Sequence, residues 1–345
     1  MGNFFVPSCT LDSLTSDEFI FKEYESCILC PKRCKVNRNA GKTGFCKETN
    51  LLRVAWAGLH FGEEPPVTGK TGSGTIFITG CNLRCSFCQN YQISQEETGR
   101  GVTLKEFSDI CLLLQSNNAE NINIVTGSHA IPAISAGLSL AKKRGLNIPV
   151  VWNSSAYETE EAIGLLSDCV DGWLPDLKTL NPEISYQVFK APDYPETALK
   201  AILKMAEISP LKLEYTDDIR YPFGKLVSGV IVRHLALPSR MEDTKAVLKW
   251  FSQNLKDKAL LSLMTQYTPI KANPKAKFVS LFENRMLKNS EDIILRNFLS
   301  ALKIDNGFYQ ELVPSDDWLP DFNRVQTFSS SLSKPLWHWT QGEIL

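Results

Sequence analysis

The chain is poor in several residues that would point to a simple class. It has four histidines and five methionines in 345 residues, and no cysteine after Cys169. It lacks an excess of either charge, since 37 Lys and Arg face 38 Asp and Glu for a formal net charge of −1. Without a bulk positive field nothing holds a polyanion across the surface, which argues against a dedicated DNA binder or membrane-surface binder. No apolar run approaches the roughly 18 residues of a membrane span, and residues 1–10 lack the charged-then-apolar order of a secretory signal. Met1-Gly2 opens like a myristoylation signal, but position 6 is Val6 where Ser or Thr is needed. The expectation is a soluble, cytoplasmic chain with neither membrane nor nucleic acid as its partner.

The histidines His60, His129, His234 and His338 offer no H-x3-H pair, so any metal must be held mainly by sulfur. Seven of the ten cysteines fall in two clusters, at 27–46 and 81–88. A disulfide framework would spread them along a small secreted domain, whereas close spacing in a large intracellular chain reads as metal ligation.

At about one domain per 150 residues the length predicts roughly two units, although an α/β barrel can run longer as one. Residues 1–26 read as a lead-in, 27–71 as a Cys-rich metal-binding module and linker, 72–313 as a barrel, and 314–345 as a C-terminal extension. The run GLHFGEEPPVTGKTGSGT, dense in Gly, Pro, Thr and Ser, reads as an ordered loop feeding the first barrel strand. Short apolar runs then alternate with amphipathic helices. The runs lie at 75–79, 122–126, 150–153, 172–176, 226–233 and 260–265. Helices are expected near 103–116, 130–144, 158–167, 196–208, 240–254 and 290–303. Thr103-x-x-Glu106 and Ser239-x-x-Glu242 have capping-box spacing, and Asn181-Pro182 has the form of an N-cap with Pro at the first helical position. Such alternation means βαβ units and a parallel sheet. Six units predict an α/β fold, a partial (β/α)6-type or full barrel, with an open doubly wound sheet as the alternative. The extension, with WLPDF and KPLWHW, is aromatic enough to pack across one face of the barrel.

The sequence GCNLRCSFCQN places Cys81, Cys85 and Cys88 at C-x3-C-x2-C directly after the strand TIFIT. A [4Fe–4S] cube ordinarily takes four cysteines, so three leave one iron with an open position for a substrate. Barrel active sites also sit at the C-terminal ends of strands. The plainer readings are a zinc site with a fourth ligand from elsewhere, or buried thiols.

The motif Cys81-x3-Cys85-x-Phe87-Cys88 resembles the signature of the radical S-adenosylmethionine (radical SAM) superfamily. HFGEEPP (60–66), the 72–94 block around the cysteines, WNSSAYE (152–158), LPDLKTLNP (174–182), IVRHLALP (231–238), SLMTQYTP (262–269) and WLPDFNR (318–324) are similar to the narrower group named after pyruvate formate-lyase activating enzyme. The resemblance implies a radical SAM barrel in which Cys81, Cys85 and Cys88 hold the cluster and S-adenosylmethionine chelates the open iron through its amino and carboxylate groups. One electron breaks the C5′–S bond, and the 5′-deoxyadenosyl radical abstracts hydrogen from a protein or peptide substrate. It further implies that Phe87 lines the adenine pocket, that Asn153 and Ser155 bond the ribose, that Asp176 and Lys178 lie close to the cofactor, and that Arg233 pairs with the methionine carboxylate. An electron donor such as flavodoxin or ferredoxin would be the partner. The chain departs from the pattern at Thr126-Gly127-Ser128-His129, which lacks the carboxylate of the usual Gly-Gly-Glu, and at Gln266-Tyr267, where the activating enzyme has a histidine.

Upstream, Cys27, Cys30, Cys34 and Cys46 make C-x2-C-x3-C-x11-C with Pro31, Asn37, Asn39, Gly41 and Gly44 as turn residues. Four thiolates serve a tetrahedral zinc or an auxiliary iron–sulfur cluster, and spacing does not separate the two. Gly69-Lys70-Thr71 and Gly41-Lys42-Thr43 imitate the end of a P-loop, but the glycine required five residues earlier is replaced by Glu64 and Val36. His60 and His234 read as structural or cofactor-shell residues, and Lys142-Lys143-Arg144 as a solvated helix end. Competing functions are a non-enzymatic iron–sulfur electron carrier, a zinc-stabilised interaction protein, and a radical SAM enzyme that modifies RNA. A carrier would want four cysteines per cluster and no barrel.

Overall fold

The computed structural model describes residues 20–215, 217, 222–270, 281–312 and 318–344. Most of the expected lead-in, and residues 271–280 of the connection after the sixth expected strand, therefore lie outside the described residues.

The elements in chain order are β1 (Leu52–His60), α1 (Pro65–Thr68), β2 (Ser73–Ile78), α2 (Tyr91–Gln95), β3 (Arg100–Val102), α3 (Leu104–Ser116), β4 (Ile122–Val125), α4 (Ile131–Lys143), β5 (Val150–Ser154), α5 (Glu160–Gly164) and β6 (Gly172–Pro175). They continue with α6 (Pro182–Phe189), α7 (Tyr194–Ile208), β7 (Lys212–Glu214), β8 (Lys225–Leu235), α8 (Met241–Asn254), β9 (Leu260–Met264), α9 (Asn289–Ala301), β10 (Gly307–Gln310), β11 (Ser333–His338) and β12 (Gly342–Glu343). The main sheet runs β10-β9-β8-β6-β5-β4-β2-β1-β11-β12 and is parallel from β10 to β2. Its ends do not meet among the described residues, so this is a mixed α/β fold whose largely parallel sheet fits a partial barrel.

Alternation along the strands separates the two faces. Ile122, Ile124, Val150, Trp152, Val230, Val232, Leu261 and Leu263 join the core under the helices. Their neighbours Val151, Leu174, Ile231 and Leu260 turn the other way and surround Val67 of α1. A strand residue and its neighbour point to opposite faces, so one face takes the helices while α1 plugs the floor of the other. A doubly wound sheet would have helices on both faces. The concave face is the lumen, and polar residues of the same register, Asn123, Asn153 and Arg233, point into it.

Two of the three expected caps form. Thr103 Oγ1 accepts from Glu106 N–H at 3.1 Å, and Asn181 Oδ1 accepts from the N–H groups of Glu183 and Ile184. The Ser239 box is not made: α8 starts one residue later, and Ser239 N–H is bonded to Glu291 Oε1 at 2.8 Å. The sequence also misses β10, the seventh parallel strand. The run expected as a loop begins inside a strand, because β1 reaches His60. Gly58 explains the error. A Cβ there would lie 2.4 Å from Lys334 O, so this glycine serves the close approach of β11. The extension does cover a barrel face, with Phe322 and Phe328 packed on Trp56 and Phe77, and it also contributes β11 antiparallel to β1. No described helix is long and apolar enough to cross a membrane.

Candidate functional site

The strand β2 ends at Ile78, and the chain turns through Gly80 at φ 93°, where a Cβ would meet Glu48 Cγ at 2.4 Å. The loop that follows carries Cys81, Cys85 and Cys88 above the C-terminal ends of the strands. Leu83 N–H points at Cys81 Sγ over 3.4 Å, and Ser94 Oγ donates to Cys88 Sγ over 3.3 Å. Gln95 Nε2 donates to Cys85 O at 2.9 Å and pins the loop to α2. Burial pushes the Cys85 thiol upward and the Cys88 thiol to about 11, so neither ionises readily without a cation to receive it.

Cys85 and Cys88 border a cavity of about 270 Å³ whose wall includes Phe87, Asp176, Lys178, Arg233, Gln266 and Trp318. Phe87 stands edge-on to Phe189, Tyr267 and Phe282, with ring centroids 5.7–6.3 Å apart. On the opposite side, Arg233 Nε donates to Asp176 Oδ1 at 2.8 Å, and Lys178 Nζ donates to Asp176 Oδ2 at 2.9 Å. Burial raises the Asp176 carboxyl, but Arg233 and Lys178 outweigh it and hold the group below the usual carboxylate range. Burial likewise works against the charge on Lys178 and Arg233, and Asp176 reverses that for both.

Asn153 is drawn into the same network, its side chain bonded to Arg233 Nη2. Ser155 lies half-buried just past the end of β5; its neighbour Ser154 accepts from Ala156 N–H at 3.2 Å. His234 is a structural tie: Nδ1 meets Leu177 O at 2.6 Å and Nε2 meets Thr244 Oγ1 at 3.0 Å. His60 packs on Phe328, and Arg144 at the end of α4 pairs with Asp109 at 2.6 Å.

Residue-by-residue reading of the sequence did not single out the carboxylates of the floor. Glu63 Oε2 lies 3.2 Å from Arg233 Nη1, and Asn123 Nδ2 donates to Glu63 Oε1 at 3.1 Å. Burial raises both Glu63 and Glu64 above the ordinary carboxyl range, with Arg233 opposing. Two adjacent glutamates before Pro65-Pro66, in a run with no helical period, were the available signal. Glu64 Oε2, Asn123 Oδ1 and Gln266 Oε1 are buried without hydrogen-bond partners. Buried polar atoms are normally paired, so orphans on lumen-facing residues mark positions where a ligand or water completes the bonding.

The sequence model of the Radical SAM superfamily matches residues 75–216. The uncharacterized protein MJ0674 of Methanocaldococcus jannaschii is 31% identical over 254 residues, spanning 71% of this chain and 67% of that one. The chain belongs to the radical SAM superfamily, and its cofactors are a [4Fe–4S] cluster and S-adenosylmethionine. Among solved structures it is similar to SuiB of Streptococcus suis, with TM-score 0.46 and 11% identity over 67% of this chain and 47% of SuiB. It therefore spans about half of SuiB's length, and SuiB has also been solved with the precursor peptide SuiA bound. A domain of pyruvate formate-lyase-activating enzyme from Bacteroides vulgatus is similar at TM-score 0.34 and 11% identity, over 52% of this chain and 91% of that domain.

The residues present fit the cluster. Three largely buried thiols rim the cavity loop, and no three His, Cys, Asp or Glu side chains among the described residues close around a single metal ion. Sulfurs that stay apart suit a cube, where each binds a different iron.

Proposed function

We propose that this radical SAM enzyme abstracts hydrogen from a protein or peptide segment, in the manner of glycyl-radical activating enzymes. The observation that carries the reading is the composition of the cavity wall. Gln89, Asn90, Gln266 and Gln310 line it together with Cys85 and Cys88. An amide side chain both donates and accepts, which matches the alternating N–H and C=O groups of an extended peptide.

Bound cluster and S-adenosylmethionine together supply a 5′-deoxyadenosyl radical once a flavodoxin- or ferredoxin-type donor has delivered one electron. The chain's own residues do the rest. Cys81, Cys85 and Cys88 hold the cluster, Phe87 offers an aromatic edge for adenine, and Arg233 and Lys178 present fixed positive charge toward a carboxylate. Asp176 keeps both cations in place, Asn153 and Ser155 supply hydrogen-bonding groups at the end of β5 for a ribose, and Trp318 with the aromatic wall limits water.

The test uses anaerobically reconstituted full-length protein, dithionite and S-adenosylmethionine. Perdeuterated cell extract is added, divided into protein and small-molecule fractions, and deuterium in 5′-deoxyadenosine is read by mass spectrometry. Label from the protein fraction, absent with Cys85→Ala, is expected. Label from the small-molecule fraction alone, or no 5′-deoxyadenosine from protein with its reduced cluster intact, overturns the proposal.

A further inference from the structure

We infer that Cys27, Cys30, Cys34 and Cys46 bind a second iron–sulfur cluster, a [4Fe–4S] cube with one cysteine on each iron, and not zinc. The four thiols are brought together locally. Cys27 N–H donates to Val36 O at 3.0 Å and Lys35 N–H to Cys27 O at 2.9 Å, which folds the segment back on itself. Gly44 then packs so tightly on Cys34 that a Cβ would stand 2.9 Å from its Sγ, and Phe45 N–H points at the same sulfur over 3.3 Å. Arg33, Lys35 and Lys47, each next to one of these cysteines, have positive φ of 42°, 55° and 66°. Side-chain-bearing residues seldom adopt that conformation, and here it bends the chain so that all four cysteines line one enclosed space.

Charge is the second argument. Arg38 is 0% exposed, and its guanidinium donates to the carbonyls of Thr49 and His129 and to Cys27 Sγ, 4.0 Å away, and stacks 4.1 Å over Tyr24. No described carboxylate is within ion-pair distance of it. A buried cation without an anion is costly, and four thiolates committed to a metal centre provide that anion.

Geometry separates the metals. Zinc needs its sulfurs at about 2.3 Å from one common point. No three such side chains among the described residues share a point of that kind, which is equally true of Cys81, Cys85 and Cys88, whose cargo is a cube. The site also adjoins the first: Asn82, next to Cys81, lines the same cavity. With a cysteine on every iron, this second cluster has no open position for S-adenosylmethionine.

Three full-length proteins test this: wild type, Cys81→Ala/Cys85→Ala/Cys88→Ala, and Cys27→Ser/Cys30→Ser. Each is reconstituted anaerobically with iron and sulfide, then assayed for iron, acid-labile sulfide and zinc and for the electron paramagnetic resonance signal after reduction. The triple variant is expected to keep about four irons and four sulfides per chain, with no zinc and a signal that S-adenosylmethionine leaves unchanged. The double variant should lose that half and keep the signal that responds to S-adenosylmethionine. One zinc without sulfide in the triple variant, or neither metal in a variant whose circular dichroism is native, overturns the inference. Should the triple variant not fold, the double variant decides: a full wild-type iron and sulfide content overturns it, and loss of half sustains it. None of these readings depends on which substrate loses hydrogen.

Discussion

Arg233 on β8 donates from Nε to Asp176 at 2.8 Å and approaches Glu63 with Nη1 at 3.2 Å, so one guanidinium joins the end of β6 to the segment entering α1 across the lumen. Both carboxylates are largely buried. Replacing Arg233 by Leu leaves Glu63 without its cation and Asp176 with Lys178 alone, and breaking such a buried pair costs about 3–5 kcal/mol. Arg233→Lys restores charge without the fork, and is expected to recover less than half of the loss. Thermal unfolding of the three proteins at pH 7 checks this; an Arg233→Leu midpoint equal to wild type would show the network to be dispensable for the fold.

The site residues at strand ends were legible because strand and block boundaries coincide there: Asp176 and Arg233 close the runs GWLPD and LVSGVIVR. Glu63 was not, since its position depends on α1 folding under the sheet, a tertiary contact with no period in the sequence. The missed part of β1 has the same origin. Gly58 reads locally as a turn residue, and only the approach of β11, some 275 residues later in the chain, turns it into a strand position. β10 is four residues long, half-exposed and not β-branched, so neither pattern nor propensity marks it.

The extension is predicted to be part of the core. Phe322 is fully buried, with its ring 5.2 Å from Phe77 and 6.0 Å from Phe328, and Phe322 N–H bonds Gln92 Oε1 at 2.7 Å beside the cysteine loop. Phe322→Ala should cost about 3–5 kcal/mol. Gly58→Val should also be destabilising, here by overcrowding, because the added side chain forces β1 and β11 apart. Urea unfolding measures both. A Phe322→Ala midpoint within error of wild type would show that the extension merely rests on the barrel.

Glu291 anchors the start of α9. Its carboxylate pairs with Arg285 Nη1 at 2.7 Å and accepts from the N–H groups of Lys288 and Ser239, each at 2.8 Å. The Arg285 hydrogen bonds, opposed by burial and aided by those backbone donors, hold the carboxyl down to about 2 against an ordinary 4.5. A folded value below the unfolded one gives stability that is complete above pH 4.5 and is lost as the pH falls toward 2. Glu291→Gln should therefore lose about 1–3 kcal/mol near neutrality, and the gap to wild type should narrow across that window. A gap constant with pH would mean that packing, not charge, sets the contribution.

His234 gives the opposite residue type with the same sign of pH dependence. Its Nδ1–H donates to Leu177 O, and its Nε2 meets Thr244 Oγ1, whose hydroxyl can donate to the neutral ring. Burial is the main cause that lowers its pKa from 6.5 to about 4; the Leu177 carbonyl and Asp176 oppose it and Lys178 adds to it. The unfolded chain takes up a proton as the pH falls through 6.5, while the folded one resists until about 4, so stability drops between those values. His60 is held down to about 4 by the same burial and contributes to the same slope. His234→Gln keeps a donor and an acceptor but does not titrate. Urea midpoints at pH 6.5, 5.5 and 4.5 should decline less steeply for the variant than for wild type, by close to one proton's worth of slope. Parallel declines would place the acid sensitivity elsewhere and show that the ring between β8 and α8 takes up its proton alike in the folded and the unfolded chain.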